Sequence, residues 1–158
     1  MNPPFTIRQA TEADLPAVLA LYAQPGVDDG KTLPIEQAQA VLAEFARYPN
    51  YRLFVACDGS DVVGTYALLV MHNLAHCGAP SAIAEDVVVT HQRRGQGIGR
   101  QLMAHAMAEA ARAGCYKLAL SSNGKRDGAH AFYDGLGFER HGLSFVISSS
   151  STLRGATA

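Results

Sequence analysis

The stretch Val87-Val88-Val89-Thr90-His91-Gln92-Arg93-Arg94-Gly95-Gln96-Gly97-Ile98-Gly99-Arg100, running into Gln101-Leu102-Met103, constrains the fold more than any other part of the sequence. A β-branched run stops at a polar turn, a glycine-spaced loop follows, and apolar positions Ile98, Leu102, Met103, Ala106, Met107 and Ala110 then recur at helical spacing. The stretch reads as strand, loop and helix N-terminus. The first four N–H groups of a helix lack internal partners and its dipole places about half a positive charge at that end, so an anion is stabilised there. Gly95, Gly97 and Gly99 remove side chains that would keep a phosphate from the backbone, and Arg93, Arg94 and Arg100 add positive charge nearby. The loop suits a pyrophosphate.

Spacing excludes two familiar phosphate cradles. A dinucleotide fingerprint G-x-G-x-x-G would put its third glycine where Arg100 stands, and no earlier βαβ unit supports it. A P-loop needs Gly-Lys-Ser/Thr after four residues, which is absent. Gln92-Arg93-Arg94-Gly95-Gln96-Gly97 instead matches Q/R-x-x-G-x-G/A, the acetyl-CoA loop of the GNAT superfamily of N-acetyltransferases, which the chain thereby resembles. Phe5-Thr6-Ile7-Arg8-Gln9-Ala10-Thr11-Glu12-Ala13-Asp14-Leu15 is similar to the family's opening strand and first helix, and Ala131-Phe132-Tyr133-Asp134-Gly135-Leu136-Gly137-Phe138 resembles its closing F/L-Y-x-x-x-G-F signature. The likeness spans residues 5 to 147. Glu85-Asp86-Val87 and Gly114-Cys115-Tyr116-Lys117 resemble glucosamine-6-phosphate N-acetyltransferases, whereas Ser121-Ser122-Asn123, Lys125-Arg126 and Ala129-His130 resemble aminoalkylphosphonate N-acetyltransferases.

The remaining elements read from local signals. Thr6 to Ala10 is a short strand, and Thr11 with Asp14 three residues later forms an Asp variant of the capping box. Leu15, Val18, Leu19 and Tyr22 then share a helical face, which Gln24-Pro25-Gly26 ends. Pro34 precedes a second helix whose stripe is Ile35, Ala38, Val41, Leu42, Phe45 and Tyr48, a packed surface helix or, by the resemblance, one overhanging the acceptor pocket. Arg52 to Cys57 and Val62 to Val70 are strands joined by the hairpin signal Asp58-Gly59. Ser81 to Val89 is the central strand, Tyr116 to Ser121 follows the long helix, and Ser122-Asn123-Gly124 turns the chain toward a short helix over Ala129 to Tyr133. Phe138 to Ile147 makes a closing hairpin or bent strand, and residues 148–158 form a tail without periodicity, open to disorder.

This order is β-α-α-β-β-β-α-β-α-β. It predicts an α/β (α+β) fold: a mixed, mostly antiparallel sheet of six to seven strands flanked by about four helices, in one domain over 1–158. The resemblance implies the GNAT fold, with the strands ending near Val89 and Ser121 splayed to admit the pantetheine arm.

Charge and cysteine usage narrow the partners. The formal net charge is −1 and no block of like charges occurs, so neither nucleic acid nor an anionic membrane is expected, and the partner is a small molecule. Cys57, Cys77 and Cys115 lack paired spacing, which with the absence of an apolar leader points to reduced thiols in the cytoplasm. His72, His76 and Cys77 invite a metal reading, but zinc needs three or four ligands and no further partner has recognisable spacing. No metal is expected, and the segment reads as a loop bordering the acceptor site.

Acetyl transfer from a thioester to an amine needs a neutral amine, a stabilised oxyanion and a proton for the departing sulfur. An amine with a pKa of about 10.4 is neutral in only about one molecule in a thousand at pH 7, so a base is required. Glu85 and Asp86 open the central strand, and alternation would turn them to opposite faces. By resemblance Glu85 is the base, directly or through water, with a substrate-binding or structural carboxylate as the other reading. Tyr133 lies in the family's signature and is expected to protonate the sulfur, since a phenol is protonated at pH 7. The resemblance further implies that the backbone of Val87, Val88 and Val89 pairs with the pantetheine, and that Gln92, Arg93, Arg94, Gly95, Gln96, Gly97, Ile98, Gly99 and Arg100 hold the pyrophosphate.

Many family members carry Asn seven residues before the tyrosine, where this chain has Arg126, so Arg126 with Lys125 reads either as meeting an anionic group on CoA or on the acceptor or as a solvated basic pair. Asp86, Ser121 and Asn123 join Glu85 as acceptor contacts. The expected activity is acetyl-CoA-dependent N-acetylation of a small primary amine, one with an anionic group being the case the likenesses favour. A peptide N-terminal or lysine acetyltransferase and a non-catalytic acetyl-CoA-binding module are the alternatives. Leu143 to Ile147 would suit a homodimer built through the C-terminal strands.

Overall fold

A computed structural model of the chain describes residues 5–122 and 126–149. The chain folds as two units, Met1–Leu120 and Ser121–Ala158.

The first unit is built on a five-stranded sheet of order β1-β2-β3-β4-β5, formed by β1 Thr6–Gln9, β2 Tyr51–Asp58, β3 Asp61–Met71, β4 Ser81–Val89 and β5 Leu118–Leu120. Neighbours are antiparallel except β4 and β5, which run parallel because α3, Ile98–Arg112, crosses between them. The β2–β3 hairpin closes where Asp58 faces Asp61, and Gly59 supplies the positive φ (58°) that so short a turn needs.

Two helices, α1 Leu15–Tyr22 and α2 Ile35–Phe45, precede β2. The capping box forms ahead of α1: the Asp14 carboxylate accepts the Thr11 N–H at 2.7 Å and takes a two-pronged pair from Arg8 at 2.7 and 2.8 Å. The Arg8 guanidinium beside it holds the Asp14 carboxyl down to about 2. Val18 of α1 joins Leu53, Val55, Cys57 and Ala67 in the core on this side of the sheet. On the other side α3 buries Ile98, Leu102, Met103 and Ala106 against β3 and β4. Among α2 residues only Ala38 is fully buried; Ile35, Val41 and the following Tyr48 stay exposed, so the expected stripe is packed only in part.

The second unit carries α4, Asp127–Gly135. Leu136 caps it and Gly137 follows with φ 87°; the Phe138 N–H donates to the Tyr133 carbonyl at 3.1 Å and the Gly137 N–H to that of Asp134 at 3.0 Å. This is a Schellman stop, which favours glycine at the left-handed position and brings the residue after it onto the last turn. The Phe138 and Tyr133 rings accordingly meet edge to face at 5.7 Å.

Five strands, rather than six to seven, are formed among the described residues, because Phe138 to Ile147 is not a strand there. Its Leu143, Phe145 and Ile147 alternate as a strand would, yet all three are exposed. Alternation supplies one apolar face, but a strand also needs a backbone partner, and this segment has none among the described residues. The turn at Asn123-Gly124, together with Lys125 and tail residues 150–158, lies outside the described residues.

Candidate active site

The site begins where β4 leaves the sheet. Thr90 continues the ladder, its N–H donating to the Val63 carbonyl at 2.9 Å, and a single 3-10 turn, His91–Arg93, follows. Gly95 (φ 77°) and Gly97 (φ 83°) then bend the chain into α3 through the left-handed region. A Cβ on either glycine would meet nothing within 4 Å among the described residues. Among the described residues no side chain caps α3, which leaves its first N–H groups available to an anion. Its N-terminus is pressed onto the sheet at Gly64, where a Cβ would lie 3.1 Å from Leu102 Cδ1 and 3.2 Å from Ile98 Cγ2.

Two braces fix this loop. The Gln24 side chain, at the end of α1, accepts the His91 N–H at 2.7 Å and donates to the carbonyls of Leu21 at 2.9 Å and Val89 at 3.3 Å. Arg93 donates to Asp58 at 2.6 Å and to Gln96 at 2.8 Å, with its guanidinium 5.7 Å from the Phe5 ring centre. Arg93 is thus engaged within the protein, whereas Gln92, Arg94 and Arg100 are exposed beside the glycines.

β4 itself is irregular. Ala67 faces Glu85 and Thr65 faces Val88, so Tyr66 alone opposes Asp86 and Val87 in a β-bulge, with Asp86 at φ 51°. The alternation expected for Glu85 and Asp86 stops at this bulge. β5 pairs with Ala82, Ile83 and Ala84 only, which leaves Glu85–Val89 without a strand partner on that edge among the described residues. This is the splay, an edge of β4 beyond the reach of β5 among the described residues, with the Val89 carbonyl taken by Gln24.

Glu85 lies in the same cross-strand row as Leu53 and Ala67, on the face covered by α1 and α2. Tyr51 heads the neighbouring row of β2; Phe45 stacks on it at 4.0 Å and Tyr48 meets it edge-on at 5.9 Å. Burial, and then the Asp86 charge, push the Glu85 carboxyl above its ordinary value of 4.5. Burial likewise raises the Tyr51 phenol, reinforced by the charges of Asp86 and Glu85, and that of Tyr22, reinforced by Asp86.

In the second unit Tyr133 is held between Phe132 and Phe138, and burial raises its phenol although Arg126 opposes the shift. Arg126 is exposed at the start of α4, Ser121 is exposed, and the neighbouring Ser122 hydroxyl is buried without a partner among the described residues. Asn123 lies outside the described residues. The fold thus brings together Glu85, Asp86, Val87–Val89 and Gln92–Arg100, while Ser121, Arg126 and Tyr133 belong to the other unit. Among the described residues no three His, Cys, Asp or Glu side chains gather as a metal site, and His76 stacks on Tyr116 at 4.2 Å.

The family model for a GNAT acetyltransferase domain matches residues 49–140. The chain belongs to the GNAT family. It is therefore an acyltransferase domain. This GNAT chain is 33% identical to the aminoalkylphosphonate N-acetyltransferase of Salmonella typhimurium, over 91% of each chain. It is 35% identical to the aminoglycoside N(6′)-acetyltransferase type 1 of Stenotrophomonas maltophilia, over 85% of this chain and 86% of that one. The structure of an acetyltransferase from Agrobacterium tumefaciens superposes with a TM-score of 0.84 at 35% identity, over 90% of this chain and 99% of the other.

Gln24 and the Arg93–Asp58 pair brace this loop in a way the sequence did not reveal. Gln24 read as part of a helix stop, and Asp58 as half of a hairpin turn. Neither carries a local signal, since each reaches a partner far along the chain.

Proposed function

We propose that this chain transfers the acetyl group of acetyl-CoA to the primary amine of a small molecule by direct attack. The observation that carries this reading is the uncapped N-terminus of α3, behind Gly95 and Gly97, directly after the unpaired half of β4 that holds Glu85. Those groups fit the cosubstrate. The N–H groups from Gly95 into the first turn of α3, with Arg94 and Arg100, would hold the pyrophosphate, and the free edge of Val87–Val89 would pair with the pantetheine. When bound, acetyl-CoA supplies an activated acetyl group whose carbon–sulfur bond breaks as the carbon–nitrogen bond forms.

Glu85 takes the amine proton, directly or through water, and its raised carboxyl makes it a better base than an ordinary carboxylate. Tyr133, kept protonated by burial, donates a proton to the sulfur. Arg93 acts as the strut that keeps Gln96 and the loop in place. A small-molecule acceptor is supported by the names of the two relatives, each matched over most of its length. An anionic group on the acceptor would be met by Arg126 and by Lys125, which lies outside the described residues.

The test is thiol release from acetyl-CoA against amino sugars, aminoalkylphosphonates, polyamines and short peptides, run beside Tyr133→Phe. Turnover on one small-amine class, falling at least tenfold in the variant, is expected; turnover on peptides alone overturns the acceptor class. The exposed Leu143, Phe145, Val146 and Ile147 support a homodimer joined through this segment, and light scattering at the 16.8 kDa of one chain would overturn it; the unpaired cysteines Cys57, Cys77 and Cys115 suit a cytoplasmic location.

A further inference from the structure

The far end of β4 is closed on its outer side by a side chain. Thr90 donates its N–H to the Val63 carbonyl of β3 at 2.9 Å. Successive peptide groups of an extended strand point to opposite edges, so the Val89 carbonyl and the His91 N–H, on either side of Thr90, point away from β3. Gln24 meets both: its amide oxygen accepts the His91 N–H at 2.7 Å, and its amide nitrogen donates to the Val89 carbonyl at 3.3 Å. One amide bound to the carbonyl before a residue and to the N–H after it is the pattern that a parallel neighbour makes with its backbone. The Gln24 carboxamide therefore replaces the strand partner that β5, paired only as far as Ala84, does not supply among the described residues.

The side chain is itself held in place. Its amide nitrogen also donates to the carbonyl of buried Leu21 at 2.9 Å, which ties it to the last turn of α1. The segment after Gln24 folds back on the same turn, with the Asp28 N–H donating to the Tyr22 carbonyl at 2.9 Å and the Gly30 N–H to that of Ala23 at 2.8 Å. Gln24 thus reaches β4 from a fixed base.

An extended ligand on this edge can pair with Val87 and with the Val89 N–H, but the Val89 carbonyl is taken. From this placement we infer that Gln24 is a positioning residue that sets how far acetyl-CoA lies along β4, by ending the pairing edge at Val89 and fixing where the glycine loop departs. The inference rests on the acetyl-transfer reading of the same site and adds the element that sets its register. A slip of one residue along a strand is about 3.3 Å. Misplacement of a reacting group by about 1 Å can cost about 10²-fold in rate. Loss of the stop should therefore reduce turnover more than affinity.

The experiment compares the full native chain with Gln24→Met, which keeps the length of the side chain without its hydrogen bonds, and with Gln24→Glu, which keeps only the acceptor for His91. Amide hydrogen exchange is followed on the ligand-free chains, acetyl-CoA binding by calorimetry, and thiol release at saturating acetyl-CoA with the amine turned over best. Expected in Gln24→Met are His91 exchange at least tenfold faster, a Kd for acetyl-CoA within threefold of native, and a kcat at least tenfold lower. Gln24→Glu should keep the His91 protection and still lose kcat tenfold, because the Val89 carbonyl is uncapped; it decides the matter if Gln24→Met does not fold. Unchanged His91 exchange in Gln24→Met, or a Kd raised tenfold with kcat at the native value, overturns the inference while acetyl transfer stands. A native chain that does not bind acetyl-CoA overturns the acetyl-transfer reading and the register role with it.

Discussion

On the α3 face of the sheet, Tyr66, Leu68, Ile98, Leu102 and Met103 are buried to 1% exposure or less, and the polar groups are matched. The Tyr66 hydroxyl and His105 Nδ1 are hydrogen-bonded at 2.7 Å, and Glu109 pairs with Arg52 at 2.7 Å and with Arg112. Burial, then the charges of Arg112 and Arg52, lower the His105 pKa. On the α1–α2 face a small core around Val18, Leu53 and Val55 gives way to a rim where Tyr48, Glu85 and Asp86 are exposed, the two carboxylates without an ion pair among the described residues. Exposed groups at a rim are hydrated and open to a ligand, whereas matched groups in a dry interior belong to the fold's own network. One face is scaffold and the other is where chemistry can be done.

The largest expected effect falls on the open face. Glu85→Gln should lower kcat/KM about 10² to 10⁴-fold, the usual worth of a positioned base, and leave the unfolding midpoint almost unchanged. In the native chain the acid limb of kcat/KM should lie above the ordinary carboxylate value of 4.5, because a base whose pKa is raised becomes protonated at higher pH; Glu85→Gln should erase that limb. A variant of full activity would remove the site from this face.

The reverse pattern is expected across the sheet. Leu102→Ala, in a fully buried position, should cost about 2–5 kcal/mol in urea unfolding while retaining measurable turnover. Gly64→Ala joins the two faces, since its new Cβ would press on Ile98 and Leu102 from the sheet. It should cost about 1–3 kcal/mol and raise KM for acetyl-CoA as the N-terminus of α3 shifts, with a smaller change in KM for the amine. An unchanged KM for acetyl-CoA would mean that the seat of α3 on Gly64 does not govern the loop.

Features legible in the sequence were those fixed by neighbours along the chain. The glycine spacing of 95, 97 and 99, the Thr11–Asp14 box and the Asp58-Gly59 turn each specify backbone geometry within a few residues, and all three formed. Part of the closing signature also has a local cause, because Gly137 and Phe138 complete the Schellman stop of α4. Features set by residues far apart were not legible. The bulge at Asp86 depends on the register of β4 against β3, the Arg93–Asp58 pair spans 35 positions, and Gln24 reaches the loop across 67. The alternating Phe138–Ile147 segment shows the same limit, since its pattern names one face but not a partner.

The central claim is that the α3 N-terminus and the free edge of β4 together hold acetyl-CoA. An amide NMR titration of the full chain with acetyl-CoA tests it most directly. The account predicts saturable shifts concentrated at the amides of Val87, Val88, Gly95, Gly97 and Gly99, with those of the β1–β2 edge unmoved. Shifts that saturate elsewhere and leave the glycine amides in place would contradict it.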